Sequence, residues 1–549
     1  MQEQIQAEQV LHNEIDRRAF LRGGLIVGGA LAMRNVIPRS VNSVLSTPPH
    51  QLSSKAPMPE TEVLMSAISP EEMLMTPEYQ TNKEFLLLIG NSMLAQGQES
   101  HGGLRFPSRI QGNNDQTDRD VGDASVGMGL LILDEAFPGD PKWVDAAEKV
   151  ATWLTAVSVK DANGRHWPDY ANNRTVSSDV FTSFDDGAIG IGDFYWRLYD
   201  RTGKDSYKEI ALETLEWTFS QAENIGNGEE RWKWDVTDPQ SLYYMGMGEG
   251  VVGLIHTFAI YYQRLKNSDP VMAAKCKTYI DGGLRYLDDV RTALGNNIGD
   301  ATYSRAIPET GVIGTNGDTT MNAGYLSGAA GGAFMYLKLH ETFGDQKYLD
   351  KADEIFSWLE DSTNGPLVKY PDGTVAWKLA IDPQGGNDNR YATGFEEGIA
   401  GIVWVYLQAY KKTGKQKYLD MVKRGADRLV DFAIKPNVNE LAWREDMHPN
   451  NADVHVNLNN GAAGDCMVLQ DIYLSTGIVK YHEAAQKALN WIKSKAIRSG
   501  KTIYFKDIDN GKIYKDDTSM HWGDSGYADA AARMSGGTID LAGGEEQGL

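Results

Sequence analysis

Between residues 76 and 545 the apolar positions follow a helical period in pairs of segments. The first segment of a pair opens on a glycine motif, as in GFEEGIAGIVWVYLQAYKKTG at 394–414. The second carries an aromatic residue near its start, as in KYLDMVKRGADRLVDFA at 417–433. Apolar residues three and four apart give each segment a buried face. Four of the first segments end at Thr-Gly or Phe-Gly, a common helix C-terminus. The pattern predicts helical hairpins.

The glycine motif recurs seven times at a regular distance. Its second glycine falls at residues 127, 190, 253, 331, 401, 464 and 526. A short aromatic, strand-like piece follows the second helix of a pair, as in RWKWDV at 231–236. Such a repeat predicts an all-α fold, an (α/α)7 double-helical toroid with aromatic strand-like pieces between the outer and inner helices. The unmatched segment at 78–96 would lie beside the last inner helix and close the ring, whereas an open solenoid is the alternative.

The glycines of the motif are unfavourable inside a helix, where each costs roughly 1 kcal/mol relative to alanine. We expect the missing side chains to let neighbouring inner helices approach one another in a crowded ring. The N-termini of the inner helices would then share one end of the toroid. Because each N-terminus carries a partial positive charge, this end is a natural binding face.

The start of the chain resembles a twin-arginine export signal. DRRAFLR at 16–22 precedes a weakly apolar Gly/Ala-rich stretch, and Ala30-Leu31-Ala32 is a plausible cleavage site. We therefore predict a signal peptide at 1–32, a polar linker at 33–75 and one toroid domain at 76–545. The expected location is the periplasm, the cell surface or the extracellular space. A short N-terminal helix or a retained anchor is the alternative.

Composition excludes several classes of protein. The net charge of −22 argues against a nucleic-acid partner, which requires a basic surface. After the N-terminus, no apolar run is long enough to span a bilayer. Two cysteines, Cys276 and Cys466, rule out a disulfide framework, although one bridge could form between them. No Ser-His-Asp order, phosphate loop or dinucleotide fingerprint stands out.

The segment GFEEGIAGIVWVYLQAYKKTGKQKYLD at 394–420 resembles the glycine-motif helix pair of lanthionine synthetase C-like proteins. The resemblance covers nearly all of 76–545 as a pattern, most clearly in repeats two to six, and implies a seven-fold toroid. It also implies a zinc ion held by a cysteine before the glycines of one repeat and a Cys-His pair before those of the next. The matching places here hold Glu396-Glu397 and Asn459-Asn460, so we predict neither the thiolate zinc site nor the thiol addition that depends on it.

Acidic residues precede several of the glycine motifs. The position directly before the motif holds Asp123, Asp186, Glu249, Ser327, Glu397, Asn460 and Trp522, and most of these are expected to cap or balance a helix N-terminus. Asp185, Glu396 and His521 lie one residue earlier, where a side chain cannot easily cap the same helix. Repeats two and five are nearly opposite in a ring of seven. Asp185 and Glu396 could therefore approach one another and act as general acid and base.

These considerations define a candidate site at the mouth of the ring. The predicted catalytic residues are Asp185, Glu396, Glu249 and His521. The predicted substrate-binding residues are Asp120, Asp123, Asp186, Tyr244, Asp388, Arg390, Glu397, Asn459, Asn460 and Trp522. No cofactor is predicted. Calcium is left open, because the acid-rich loops lack the spacing of an EF-hand.

The sequence therefore favours an exported toroid enzyme that uses carboxyl groups in a central cavity on a carbohydrate, as a glycoside hydrolase or lyase. Aromatic residues near the acids resemble sugar-stacking surfaces, and the six-hairpin glycosidases supply an analogy of fold. One alternative is a non-catalytic toroid that binds a glycan or peptide at the cell surface. A divergent lanthionine synthetase C-like cyclase is another.

Overall fold

A computed structural model describes residues 77–106, 116–171, 178–239, 241, 243–293, 321–381, 390–447, 454–509, 512–515 and 524–535. The chain divides into two units, Met1–Glu72 and Met73–Leu549, and all described residues belong to the second. The predicted signal peptide and linker therefore lie outside the described residues, as do Asp388, His521 and Trp522. Within the described part of the chain, no helix is both long and apolar enough to cross a membrane.

Fourteen helices of the described residues alternate between an inner and an outer layer. The inner helices are α2 (Asp123–Ala136), α4 (Ala188–Thr202), α6 (Val251–Leu265), α8 (Ala329–Phe343), α10 (Ile399–Thr413), α12 (Ala462–Thr476) and α14 (Asp524–Arg533). The outer helices are α1 (Pro77–Gln96), α3 (Lys142–Val157), α5 (Asp205–Ser220), α7 (Pro270–Ala293), α9 (Gln346–Leu359), α11 (Gln416–Phe432) and α13 (Val479–Lys495). Most inner helices are buried on nearly every side, whereas the outer ones bury a single stripe, the normal pattern for an amphipathic helix.

The inner helices form a closed ring. Each contacts the next along the chain, and α14 contacts both α2 and the N-terminal outer helix α1. At this junction Asn82 donates hydrogen bonds to Gln486 Oε1 at 2.9 Å and to the carbonyl oxygen of Met534 at 3.3 Å. The predicted all-α toroid, including the position of the N-terminal helix, is confirmed. The open solenoid is wrong.

Short antiparallel strands follow most of the outer helices. The pairs are β1 (Gln98–Ser100) with β2 (Gly103–Arg105), β3 (Val159–Asp161) with β4 (Gly164–His166), β5 (Glu223–Gly226) with β6 (Glu229–Arg231), β8 (Leu367–Lys369) with β9 (Val375–Trp377), and β7 (Met321–Asn322) with β10 (Ala380–Ile381). A three-stranded sheet contains β11 (Ala496–Ser499), β12 (Thr502–Asp509) and β13 (Lys512–Lys515). In the first hairpin, for example, Gln98 pairs with Arg105 and Ser100 with Gly103.

Buried tryptophans attach these pieces to the outer helices. The indole N–H groups of Trp167, Trp232, Trp377 and Trp443 donate to carbonyl oxygens of Leu154, Thr218, Leu359 and Leu429, at 2.7–2.9 Å. Each acceptor lies in the last turn of its outer helix, where carbonyl groups have no partner within the helix. These four rings are at most 4% exposed, so they belong to the core and are not sugar-stacking surfaces.

The glycine motifs accommodate the loop that enters each inner helix. A Cβ on Gly190, Gly253 or Gly401 would lie 1.9 Å from the carbonyl oxygen of the residue six positions earlier, a distance that no side chain can adopt. In these repeats the closest approach is to the loop of the same repeat, which corrects the prediction, whereas in repeat one a Cβ on Gly127 would lie 2.4 Å from Phe194 of the neighbouring inner helix, as predicted. The predicted helix ends are confirmed at Gly203, Gly344, Gly414 and Gly477, whose φ angles of 65–69° are left-handed.

Candidate active site at the mouth of the ring

The loops that enter the inner helices are joined to one another by backbone hydrogen bonds. The bonds run from Arg119 N to Asp185 O (3.0 Å), Asp185 N to Gly248 O (3.1 Å), Gly248 N to Leu326 O (3.1 Å), Leu326 N to Glu396 O (2.8 Å) and Glu396 N to Asn459 O (3.1 Å). We call this chain of contacts the mouth ladder. It joins repeats one to six and places Asp185, Glu396 and Asn459 at the same position of the loops of repeats two, five and six.

The structure corrects the register predicted for repeat one. Helix α2 starts at Asp123, and its N-cap is Gly122, so Asp120 occupies the place that Asp185 holds in repeat two. Asp123 lies in the first turn and accepts a hydrogen bond from the backbone N–H of Phe106 at 2.7 Å. Burial raises the pKa of Asp123 well above its usual value, and its carboxyl group serves the joint with the preceding hairpin.

The carboxyl groups before the motifs do not cap their own helices. Glycines are the N-caps of α2, α4, α6, α8, α10 and α12, and none of these caps makes a side-chain hydrogen bond. Glu397 instead accepts a hydrogen bond from the backbone N–H of Ser327 in the preceding repeat, at 2.9 Å. The prediction that they cap their own helices is therefore wrong for these six repeats, whereas the predicted electrostatic balance of the helix ends stays a prediction. The contact of Glu397 connects repeats four and five across the mouth.

Acidic side chains from repeats one, two and five act on Glu249 of repeat three. Burial, followed in order by the negative charges of Asp185, Asp120, Glu397 and Glu396, raises the pKa of Glu249 to about 8. Asp186 behaves alike: burial, followed by the charge of Glu249, raises its pKa well above 3.8. Asp120, Asp185 and Asp186 are 4–8% exposed, whereas Glu249, Glu396 and Glu397 keep an intermediate exposure. Carboxyl groups in such a site share protons at neutral pH, because like charges cannot all ionise.

Glu397 is a second carboxyl group that stays protonated near neutrality. Its pKa is raised to about 8, mainly by burial; the hydrogen bond from Ser327 lowers it, and the charge of Glu396 raises it. Its Oε2 atom is buried and has no hydrogen-bond partner among the described residues. A Cβ on Gly324 would lie 2.2 Å from this oxygen, so only glycine fits there.

Arg119 supplies a positive charge next to Asp185. Its Nη1 lies 3.6 Å from Asp185 Oδ1, and its guanidinium group stacks 4.0 Å from the centre of the Phe184 ring. On the other side, Nε lies 4.0 Å from Asp193 Oδ2, which Arg197 also contacts at 3.0 Å. Burial opposes ionisation of Asp193, but these arginines outweigh it and lower its pKa.

Aromatic rings lie next to the acids on the side of repeats two and three. Trp234 stacks on Phe181 with ring centres 4.4 Å apart, and its edge meets Tyr244 at 5.6 Å. The indole N–H of Trp234 donates to Asp186 Oδ2 at 3.3 Å. Trp234 and Tyr244 keep an intermediate exposure, in contrast to the four tryptophans of the core.

Polar groups occupy the side of repeats five and six. His455 Nε2 lies 3.8 Å from Glu445 Oε2, and His455 is 3% exposed. Asn459 Oδ1 is buried and lacks a hydrogen-bond partner within the described residues. The backbone N–H of Asn460 donates to Asn457 Oδ1 at 2.9 Å, so Asn460 belongs to the loop geometry. Arg390 is half-buried near this side, where its carbonyl oxygen accepts from Leu379 N at 2.9 Å.

Sequence reasoning missed Arg119, Trp234 and His455 as site residues. A signal existed for Arg119, because the equivalent position in repeats two to six holds Phe184, Met247, Tyr325, Phe395 and Leu458, all apolar. Trp234 differs from Trp232 only by its partner, which the sequence does not reveal. His455 lies at the start of the loop from which the sequence pattern selected Asn459 and Asn460.

Zinc held by thiolates does not fit these residues. Cys466 is buried in α12 and donates to the carbonyl oxygen of Ala485 at 3.3 Å, on the side of the outer layer. Cys276 is buried in α7, where burial raises the pKa of its thiol to about 12. Among the described residues, no group of three or more His, Cys, Asp and Glu side chains is arranged to hold a metal ion.

Comparisons with known proteins found one family model and several solved structures that are similar to this chain. The family model described as lanthionine synthetase C-like protein matches residues 380–533. No curated protein matches the chain. Among solved structures, nisin cyclase is 11% identical over 82% of this chain and 93% of its own, with a TM-score of 0.49.

Two sugar-converting enzymes are similar in the same way. D-mannose isomerase is 11% identical over 84% of this chain and 98% of its own, with a TM-score of 0.48. A sugar epimerase from a ruminal bacterium is 15% identical over 75% of this chain and 100% of its own, with a TM-score of 0.47. At these identities the likeness concerns the fold alone. The predicted resemblance to the lanthionine synthetase C-like family is confirmed, and the family model locates it at residues 380–533.

Proposed function

We propose that this protein is a carbohydrate-active enzyme that works by acid–base catalysis at the mouth of the ring, in the manner of a glycoside hydrolase. One observation carries the proposal: an arginine-paired carboxylate, Asp185, lies within the electrostatic reach of Glu249, whose pKa is raised to about 8. Enzymes obtain an acid and a base from two carboxyl groups by placing them in environments that separate their pKa values.

The two groups take complementary roles. Glu249, mostly protonated at pH 7, donates its proton to the glycosidic oxygen as the sugar leaves. Asp185, ionised beside Arg119, either deprotonates the attacking water or attacks the anomeric carbon itself. The mouth ladder fixes the backbone on both sides of Asp185, which keeps its carboxylate in one place during the reaction.

The remaining acids and the amide would hold substrate hydroxyl groups. Asn459 Oδ1 and Glu397 Oε2 are buried oxygen atoms without partners in the described structure, and an unmade hydrogen bond is costly. A sugar hydroxyl that reaches either atom would remove that cost. Glu396, on the same ladder as Asp185 and close enough to raise the pKa of Glu249, would lie on the opposite side of the substrate.

Turnover of a polysaccharide panel tests this proposal. Asp185→Asn and Glu249→Gln should each lower the release of reducing ends by roughly a thousandfold or more, since each removes one partner of the proton transfer. Glu209→Gln, an exposed position on outer helix α5, is the control and should leave the rate unchanged. Wild-type activity that both mouth variants retain would refute the assignment.

A non-catalytic glycan-binding toroid is the second candidate, favoured by the partly exposed Trp234 beside the acids. Saturable binding without release of reducing ends would support it over the enzyme. A divergent lanthionine synthetase C-like cyclase is the third, and the placement of both thiols in the helical layers speaks against it. Stoichiometric zinc in the purified protein would revive it.

We also propose that the protein leaves the cytoplasm folded, through the twin-arginine pathway. The motif DRRAFLR and the following Gly/Ala-rich stretch support this route. Replacing Arg17 and Arg18 by lysine should keep the protein in the cytoplasm. Unchanged export of that variant in cell fractions would refute the route.

A further inference from the structure

Trp234, Phe181 and Tyr244 form an aromatic platform next to the proposed acids. We infer that this platform is a subsite for one ring of an uncharged sugar, and that uronic acids are excluded from it. The inference rests on the proposed function, which it narrows from carbohydrates in general to a class of sugar. It also separates the hydrolase from the lyase.

The platform is not a part of the core that happens to be exposed. In the comparable tryptophans the indole N–H bonds a carbonyl oxygen of an outer helix, and the ring is fully buried. Trp234 lies two residues after such a tryptophan, yet it donates to a side chain of the mouth, Asp186, and remains partly exposed.

The ring of Trp234 is held firmly. The backbone carbonyl oxygen of Trp234 accepts a hydrogen bond from Thr182 N at 3.1 Å, and the adjacent Asp235 forms an antiparallel bridge with Phe181. The stacked ring of Phe181 supports the indole at an interplanar angle of 14°. A rigid, partly exposed aromatic ring loses little entropy when a ligand binds, which makes it an efficient anchor.

Aromatic rings and carboxyl groups together match the two faces of a sugar. The carbon-bound hydrogens of a pyranose form an apolar face that packs on an indole, while its hydroxyl groups at the rim need hydrogen-bond partners. Asp186 lies next to the indole and offers a carboxyl oxygen for a hydroxyl group.

The charges around the platform decide between neutral and acidic sugars. The four strongest charge effects on Asp186 come from Glu249, Asp120, Asp118 and Asp185, and all of them are negative. The four on Glu249 are negative as well. A uronate would bring one more carboxylate into a cluster where burial and mutual repulsion already oppose the ionisation of Asp186 and Glu249, which is unfavourable at short range. Elimination by a lyase requires that the uronate carboxylate be neutralised, so the same charges favour hydrolysis.

Binding, measured separately from turnover, tests the subsite. We would titrate the full chain, as wild type and as Asp185→Asn to suppress turnover, with mannohexaose, cellohexaose, maltohexaose and a galacturonate hexamer by calorimetry. At least one neutral hexasaccharide should bind, and Trp234→Ala should weaken that binding roughly tenfold, with Trp234→Leu as the variant that preserves bulk. The galacturonate should not bind. Trp443→Phe, at a core tryptophan, should change the affinity by less than roughly twofold.

Three results would overturn the subsite. They are the absence of binding for all three neutral sugars, an affinity insensitive to both Trp234 variants that keep the wild-type melting temperature, and galacturonate binding as tight as that of the best neutral sugar. Binding that depends on Trp234 without any turnover by the wild type would instead support the subsite and refute the enzyme. The two proposals can therefore fail separately.

Discussion

Glu249→Gln should stabilise the folded protein, and the gain should grow as the pH rises. In the folded state the pKa of Glu249 is about 8, against an ordinary value of 4.5. Between these values the folded state binds one proton that the unfolded state has released. The slope of the unfolding free energy with pH follows the protons bound by the unfolded minus the folded state, so it is negative here. Stability is fully present below about pH 4.5 and is lost as the pH rises through about 8.

The magnitude follows from the same two values. Each pKa unit corresponds to about 1.36 kcal/mol, so a rise from 4.5 to about 8 lowers stability by at most about 5 kcal/mol over the whole range. At pH 7 the loss has reached about 3 kcal/mol. Glutamine keeps the shape of the protonated acid and cannot ionise, and it also removes one of the like charges acting on Asp186.

Melting temperatures of wild type and Glu249→Gln at pH 5, 6, 7 and 8 measure this effect. An unfolding entropy of about 2.1 cal/mol/K per residue gives about 1 kcal/mol/K for a ring of this size, so the gain at pH 7 should be roughly 3 °C. Glu397 has the same raised pKa, and glutamine keeps an oxygen that can accept the hydrogen bond from Ser327, so Glu397→Gln should show a comparable gain. The exposed Glu209→Gln should not alter the profile. Parallel profiles for wild type and Glu249→Gln would refute a protonated Glu249 in the folded state.

Three further predictions concern the mouth and its support. Arg119→Met should move the acidic limb of the pH–rate profile to higher pH, because Asp185 loses its counter-charge. The control Arg201→Met on α4 should leave that limb in place. An acidic limb that does not move in Arg119→Met would contradict the role of the ion pair. Gly401→Ala should lower the free energy of unfolding by more than about 3 kcal/mol or prevent folding, because its Cβ would meet the Phe395 carbonyl oxygen. The control Gly192→Ala should change it by about 1 kcal/mol or less. Midpoints of urea unfolding measure both effects. A chelator such as EDTA should leave the turnover of the wild-type protein unchanged. A loss of turnover that a divalent metal restores would contradict acid–base catalysis without a metal.

The architecture was predictable because the repeat is written into the apolar pattern. Seven hairpins of one length allow few arrangements other than a ring, and the extra helix at the N-terminus and the single helix at the C-terminus complement one another. The predicted register is wrong in repeat one, where the motif is degenerate. The sequence pattern aligns Gly127 with Gly190, whereas the structure makes Gly122 the N-cap and thereby puts Asp120 in the place of Asp185.

The details of the site were less accessible, since they depend on contacts between repeats. Glu397 bonds the backbone of Ser327, seventy positions earlier in the chain, although its spacing to its own helix is that of a cap. Arg119 and Asp185 are likewise brought together by the mouth ladder and not by sequence proximity. A periodic pattern reports which face of a helix is buried. It does not report which loop of the next repeat a side chain will meet.

The acids stay together at the mouth because several independent contacts fix the loops that carry them. A cluster of carboxyl groups would normally relax by turning outward or separating, and thereby regain solvation. Here the entering loops are pinned on three sides: by the mouth ladder, by the glycine motifs that receive each loop on the first turn, and by the bridges that join Phe181 to Asp235 and Ala392 to Asp446. The core beneath them supplies the stability that this strained arrangement lowers. Substitutions that relieve the cluster should therefore stabilise the protein and impair its chemistry together. A substitution that loosens the ladder should impair the chemistry and lower the stability as well, so the sign of the stability change distinguishes a working acid from a supporting contact.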